Sequence, residues 1–284
     1  MSQQLRQLKS RIRSVEGTWK VTRAMEMVSM SKFKALETPL FMSRAYFSKL
    51  EGIFNNLLAV EADVTHPYLK PRTGGALGLV VITTDTGLCG TYTNEVLRLA
   101  DKFIAEHSER EIRIYVYGRK AVVHFKKQGI AVNKYVPGVH GRLTFAFHKD
   151  LFDALIADYD KNVLSEVHVV YAVFKTAMKR IPVVEKFLNI DRRPVRGGES
   201  FIVESGTRGI LTDVLPMYLS NRLRLMMLEA FVSEQSSRMV AMKSAKDNAK
   251  ELMGDLILLR NKLRQATITK EVIEIISSAE ALKG

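Results

Sequence analysis

Between Thr83 and Glu95 the chain reads TTDTGLCGTYTNE, a β-branched run entering a glycine-bearing turn and then a polar helix start. That order is the layout of a phosphate cradle, in which backbone N–H groups at a helix N-terminus hold an anion. The residues for it are missing. A phosphate loop follows its last glycine with Lys and then Ser or Thr, whereas Thr91 and Tyr92 follow Gly90. A dinucleotide fingerprint needs three spaced glycines, and this turn offers Gly87 and Gly90. Asp85, Gly87, Cys89 and Gly90 therefore read as a structural turn or a subunit contact, with no cofactor expected.

Other candidate chemistry is equally thin. Cys89 is the single cysteine, so no intramolecular disulfide and no regulatory dithiol can form. A lone cysteine is more often a small buried hydrophobe than a nucleophile. The histidines, His66, His107, His124, His140, His148 and His168, show no metal-ligand spacing near cysteine or paired carboxylates. No Gly-x-Ser-x-Gly elbow and no clear acid–base pair occurs. Neither a catalytic nor a metal site is expected.

The elements around that turn fall into three zones: 1–58, 75–200 and 207–284. In the first, Leu5, Leu8, Ile12, Val15, Trp19 and Thr22 recur at steps of three and four, the seam of a coiled coil. Pro39 follows Thr38, a possible cap, so a kink or short break is expected there. The middle zone alternates strand-like runs (ALGLVVITT, IRIYVY, IAVNKY, SEVHVVYAVF, IPVVEKFLNI) with helical patterns near 94–107, 119–129 and 147–161. This predicts a Rossmann-like α/β domain on a largely parallel sheet. DRRPVRGGES reads as a loop.

The last zone has no proline after Pro216, and Met242, Ala245, Ala249, Leu252, Leu256, Leu259, Leu263 and Ala266 alternate steps of three and four. A continuous helix is expected from about residue 210 to 280, with no internal proline to break it. At 1.5 Å per residue some 70 residues would extend roughly 105 Å, too long for a compact domain of this size. Such a helix needs a partner, and zone 1–58 carries a matching seam. The expected fold is a long antiparallel coiled coil of the terminal helices plus a central α/β domain. Two separate amphipathic helices on the domain surface are the alternative.

Of 284 residues, 46% are hydrophobic and 26% charged, enough for a real core. Lys and Arg outnumber Asp and Glu by 43 to 30, a net charge of +13 that favours an anionic partner. The N-terminus lacks an apolar signal core, and no apolar run approaches the roughly 20 residues that span a bilayer. Beside the first seam lie Arg6, Lys9, Arg13, Lys20 and Arg23, with Glu16 as the exception; residues 1–35 hold eight basic and two acidic side chains. Coiled-coil flanks normally mix signs, so this stripe is either a solvated flank or a face for acidic loops. Met25, Met27 and Met30 either fill the seam or offer a sliding, unbranched contact. Near the C-terminus Arg264, Gln265, Thr269 and Glu271 form a polar patch between Leu263 and Val272.

Three stretches carry a resemblance. LKSRIRSVEGTWKVTRAMEMVSMSKFKA, ITTDTGLCGTYTNEV, and RLRLMMLEAFVSEQSSRMVAMKSAKDNAKELM followed by RNKLRQATITKEVIEIISSAEAL resemble, in order, motifs of bacterial-type ATP synthase gamma subunits. The likeness spans essentially the whole chain. It departs from the family at Trp19 and Lys270, where Gln is usual, at Thr86, usually Arg, and at Thr91, commonly Gly or Ala. Contacts at those positions do not carry over directly.

The resemblance implies a central rotor shaft that catalyses nothing by itself. Its coiled coil would turn inside a ring of alpha and beta subunits whose catalytic sites it forces into different states. Its central domain would touch an epsilon subunit and the membrane ring of c subunits, whose turning couples proton flow to ATP synthesis. It implies a peripheral position on the cytoplasmic face of the bacterial inner membrane. Met25 matches a family position that faces the catalytic ring, and Arg13, Lys20, Arg23, Arg264, Gln265, Thr269 and Glu271 are the expected coupling contacts. A basic coiled-coil nucleic-acid binder is the alternative by charge, although no aromatics interleave with the stripe. A nucleotide-dependent enzyme using the α/β layer is a third reading. Neither explains two long terminal helices of matching period.

Overall fold

A computed structural model describes residues 3–60, 66–138, 147–191 and 207–281. His140 and most of the expected loop at 191–200 lie outside the described residues. The elements in chain order are α1 (Gln3–Val60), β1 (Ala76–Ile82), α2 (Tyr92–Glu106), β2 (Ile112–Tyr117), α3 (Arg119–Lys127), β3 (Val132–Val136), α4 (Lys149–Asp160), β4 (Leu164–Phe174), β5 (Arg180–Leu188) and α5 (Thr207–Ala281). They group into two compact units, Met1–Val28 with Met239–Gly284, and Ser29–Arg238.

The larger unit is built on a five-stranded sheet of order β3-β2-β1-β4-β5. β1 is buried at every position, as a central strand covered on both faces must be, and it pairs in parallel with β2 and β4. Only β5 runs antiparallel, returning along β4 with Val170 opposite Val184. The parallel crossovers from β1 to β2 to β3 carry α2 and α3, which share one face. There Tyr92, Val96, Ala100, Ala121 and Phe125 pack on Leu77, Leu79, Val81, Ile114 and Val116. The chain then crosses back to β4, so α4 falls on the other face. Its Leu151, Leu155 and Tyr159 share a core with Val80, Tyr115 and Val169, with Leu36, Leu40, Phe54 and Leu57 of α1, and with Leu219, Leu223 and Met227 of α5.

Of the kink or short break expected at Pro39, no break occurs: α1 is helical throughout. A helical proline costs about 3 kcal/mol. Phe33, Leu36 and Leu40 are all buried around it, and each such side chain contributes about 1.5–3 kcal/mol, so burial outweighs the lost hydrogen bond. The C-terminal helix is continuous, but the expectation that it lacks an internal proline is corrected. Pro216 lies inside α5, between buried Leu215 and buried Tyr218 and Leu219.

In the smaller unit the α1 seam is as expected: Leu5, Leu8 and Thr22 are buried and Ile12, Val15 and Trp19 half-buried. The α5 seam needs correction. Met242, Ala249 and Leu256 are buried, but Leu252 and Leu259 are 40% and 46% exposed and Ala266 is exposed. Lys246, Met253, Arg260 and Thr267 are half-buried instead. A step of three turns a helix 300° and a step of four 400°, so two zig-zags leave Met242 on opposite sides of one line. The partner helix covers the four-step side, where Lys246 Nζ meets Glu26 Oε2 at 2.7 Å.

Counted down α1 and up α5 from that ion pair, Gln3 lies opposite about residue 269. From Ile268 to Ala281 every residue is exposed, because the first helix has run out. This seam yields a direct test. Leu256→Ala should destabilise the helical pair by about 2 kcal/mol or more, and Leu259→Ala by no more than about 0.5 kcal/mol, read as shifts in urea unfolding and amide-exchange protection. Equal losses would return Leu259 to the seam.

Candidate functional site

The turn after β1 is fixed first by its neighbours on the sheet. Thr83 Oγ1 donates to the Tyr117 carbonyl and accepts the Ala121 N–H. Gly118, at φ 95°, passes so close that a Cβ there would lie 2.6 Å from the Thr83 carbonyl oxygen, so no other residue fits. Asp85 Oδ1 accepts the Arg119 N–H at 2.8 Å. Cys89 is buried, its Sγ 3.2 Å from Thr93 Oγ1. Gly90 takes φ 59° and Gly87 lies beneath Lys120.

The strand order reverses between β1 and β4. In open α/β sheets the crevice at such a switch point, beyond the carboxyl ends of the strands, is where ligands bind. Here α5 lies in it. From α5, Ser233 Oγ donates to Ala172 O at 3.0 Å, Ser236 Oγ to Ala177 O, and Ser237 Oγ to Cys89 O at 2.6 Å. Arg238 donates to Thr86 O, Thr86 Oγ1 and Gly87 O. Tyr92, at the head of α2, donates its hydroxyl to Ala230 O at 3.1 Å. The strand ends and the turn thus spend their polar groups on one helix.

Two ion pairs lock this seat. Arg44 of α1 grips Glu229 through two bonds of 2.6 and 2.7 Å, and between them they satisfy the carbonyl and the N–H of Phe174 at the end of β4. Further along α5, Arg238 Nη1 meets Glu234 Oε1 at 2.6 Å, with both side chains largely buried. Burial pushes the Glu234 carboxyl above its ordinary range, against the opposing pull of Arg238. None of Arg44, Glu229, Glu234, Ser237 and Arg238 was singled out from sequence. The signal available was polar residues at helical spacing, Glu229, Ser233 and Ser237, the first of them following the apolar run 225–228 and the first two flanking the apolar run 230–232.

The predicted contact residues of the smaller unit fall as follows. Arg13 is exposed. Lys20 is exposed and paired with Glu16 at 2.8 Å. The Arg23 guanidinium lies 5.3 Å over the ring of Trp19, so Trp19 is both seam and cation partner. Met25 is half-buried while Met27 points outward. Arg264, Gln265, Thr269 and Glu271 are all exposed. At 100° per residue Arg264 and Glu271 share one side of α5, and Gln265 and Thr269 lie roughly 130° away. Exposed Ile268 lies among them, and exposed Val272, Ile273, Ile275 and Ile276 follow along the helix.

The ATP synthase family model matches residues 4–282. The chain is 33% identical to the ATP synthase gamma chain of Heliobacterium modesticaldum over 98% of its length and 99% of the relative's. It is 35% identical to that of Anaeromyxobacter sp., with the same coverage. The chain belongs to the ATP synthase gamma chain family. In fold it is similar to a chain of the Euglena gracilis mitochondrial ATP synthase (OSCP/F1/c-ring, rotational state 3), with a TM-score of 0.66 at 16% identity, covering 98% of this chain and 94% of that one. It is also similar to a chain of the Tetrahymena thermophila mitochondrial ATP synthase central stalk and c-ring, with a TM-score of 0.61 at 20% identity, covering 79% and 99%.

Within that family's architecture the seat of α5 is the joint where a long helix meets a domain. Removing Arg238 tests it. Arg238→Gln leaves the buried Glu234 carboxylate without its ion-pair partner and with only the Gln235 amide donating to it, at a cost of about 3 kcal/mol near pH 7.5. Losing the guanidinium raises the folded-state pKa of Glu234 further above its unfolded value. The penalty is therefore full above the folded pKa and fades as pH falls toward the unfolded one. The gap between variant and parent in urea should shrink at pH 5; a gap that widens would show that Arg238 is not Glu234's counter-charge.

Proposed function

We propose that this chain is the central rotor shaft of an F-type ATP synthase, catalysing nothing by itself and coupling proton flow through a membrane ring to ATP synthesis in a catalytic head. The observation that carries this is the end of α5. Beyond the reach of α1 it exposes Ile268, Val272, Ile273, Ile275 and Ile276 with no cover among the described residues. Apolar surface at the tip of a long helix needs a seat on other subunits. A ring of alpha and beta subunits supplies one.

In this reading the zones 1–58 and 207–284 form the shaft, and 75–200 is the domain at its foot, against the epsilon subunit and the c-subunit ring. The Glu229 and Arg238 clasps then pass torque between helix and sheet. Met25 slides against the head, Arg13, Lys20 and Arg23 face acidic loops, and Arg264, Gln265, Thr269 and Glu271 make contacts that differ among the three catalytic subunits as the shaft turns. The turn at Asp85, Gly87, Cys89 and Gly90 is a further subunit contact. No described helix is long and apolar enough to cross a membrane, which fits a peripheral shaft on the cytoplasmic face of a bacterial inner membrane. Likeness to gamma chains along nearly the whole chain leaves the nucleic-acid-binding alternative without support.

The basic stripe gives the test. Reversing Arg13, Lys20 and Arg23 to Glu in the assembled enzyme should leave assembly intact, since exposed pairs contribute only about 0.2–1 kcal/mol each. Protons pumped per ATP hydrolysed in membrane vesicles should fall, more at low salt than at high. An unchanged ratio with normal assembly would reduce the stripe to a solvated flank.

A further inference from the structure

Between α1, β4, β5 and α5 the larger unit holds a cavity of about 590 Å³, within the roughly 300–1,000 Å³ of small-molecule sites. Its aromatic wall is Phe47 of α1 stacked on Tyr218 of α5, with ring centroids 5.3 Å apart, and Leu225 continues that wall. Glu185 of β5 and Asn189 just after it add polar groups, and α1 adds Glu51.

Asn189 is the informative residue. It is only 6% exposed, and its Oδ1 has no hydrogen-bond partner among the described residues. A buried acceptor left unmet is destabilising, so this one calls for a donor that the described residues do not supply. Glu185 calls for the same. It receives one neutral bond, from the Tyr171 hydroxyl at 2.8 Å, and makes no ion pair among the described residues. A carboxylate has room for about four donors.

The other charges around the cavity are already engaged. Glu229 is held by Arg44 and Asp191 by Lys186, while Arg222 donates to the Lys186 carbonyl at 2.8 Å. The two cations of the lining are thus turned toward acceptors of the chain itself, which disfavours an anionic ligand. A bare metal ion is disfavoured too, because no group of three or more His, Cys, Asp or Glu side chains is placed to hold one among the described residues. What stays unmet is a set of acceptors beside an aromatic wall, in a chain whose net charge is +13.

We propose that this cavity is a binding site for a small alkyl-ammonium or alkyl-guanidinium cation. The cationic head donates to Asn189 Oδ1 and to the Glu185 carboxylate, with Glu51 as a second counter-charge. The alkyl stem lies along Phe47, Tyr218 and Leu225, where the ring faces also attract the charge. Bound there, the cation touches α1, β5 and α5 together, beside the Arg44–Glu229 pair, and so stabilises the seat of α5. The proposal does not rest on the rotor reading.

Isothermal titration of the full-length chain with putrescine and with agmatine tests it. Each should give one saturable site and raise the melting temperature with concentration. Butanediol, of putrescine's length but uncharged, should give neither. Glu185→Gln keeps an acceptor for Tyr171 and should weaken diamine binding about tenfold, as expected for one lost charge-assisted hydrogen bond. Asn189→Leu should weaken it as much while melting no lower than the parent, since it removes an acceptor that is unmet in the empty chain. Glu109→Gln, which removes an exposed carboxylate elsewhere, should bind like the parent. Absence of a saturable site for both cations, equal binding of the diol, or equal weakening by Glu109→Gln and Glu185→Gln would overturn the proposal.

Discussion

One helix has to bury a polar stripe, and the sheet has to bury its strand ends; each solves the other's problem. An unpaired buried hydroxyl, carboxylate or carbonyl costs on the order of 1–3 kcal/mol. α5 carries Glu229, Ser233, Ser236, Ser237 and Arg238 among Met226, Leu228, Ala230, Phe231 and Val232. β4 and the turn after β1 end with their own backbone groups unspent. Placed in the switch-point crevice, the helix meets the carbonyls of Thr86, Cys89, Ala172 and Ala177 and the N–H of Phe174. A ligand crevice becomes a helix socket.

That exchange makes the contact directional. Apolar packing alone would tolerate sliding or rotation of α5 by part of a turn, since one buried leucine resembles another. A bidentate Arg44–Glu229 pair whose members also bind both backbone groups of Phe174 has one register. The Arg238–Glu234 pair repeats the constraint on the turn. A helix seated this way keeps one rotational setting against its sheet.

The two ends of the molecule's helical character are governed differently. Around Pro39 and Pro216 the helices persist because flanking leucines are buried in the larger unit. Past about residue 268, α5 has no partner among the described residues and keeps an exposed apolar surface.

Much of this was legible in the residues. The strand runs ALGLVVI and IRIYVY announce themselves as β1 and β2 through β-branched residues and periods that differ from 3.6, and the long glycine-poor tail announces one helix. The absence of Lys after Gly90 argued against a phosphate cradle, since that chemistry needs its ligands in a fixed local order. Local order is what a sequence states directly. It could not say that Pro39 would be overridden, that the α5 seam would choose Met253 over Leu252, or that Arg44 would reach Glu229 across 185 positions. Each of those depends on which surface covers a residue from outside its own helix. Period and composition determined that two long helices flank an α/β layer; only tertiary packing decided which face of each is buried and which buried charges meet, because burial is a property of neighbours the sequence brings from far away.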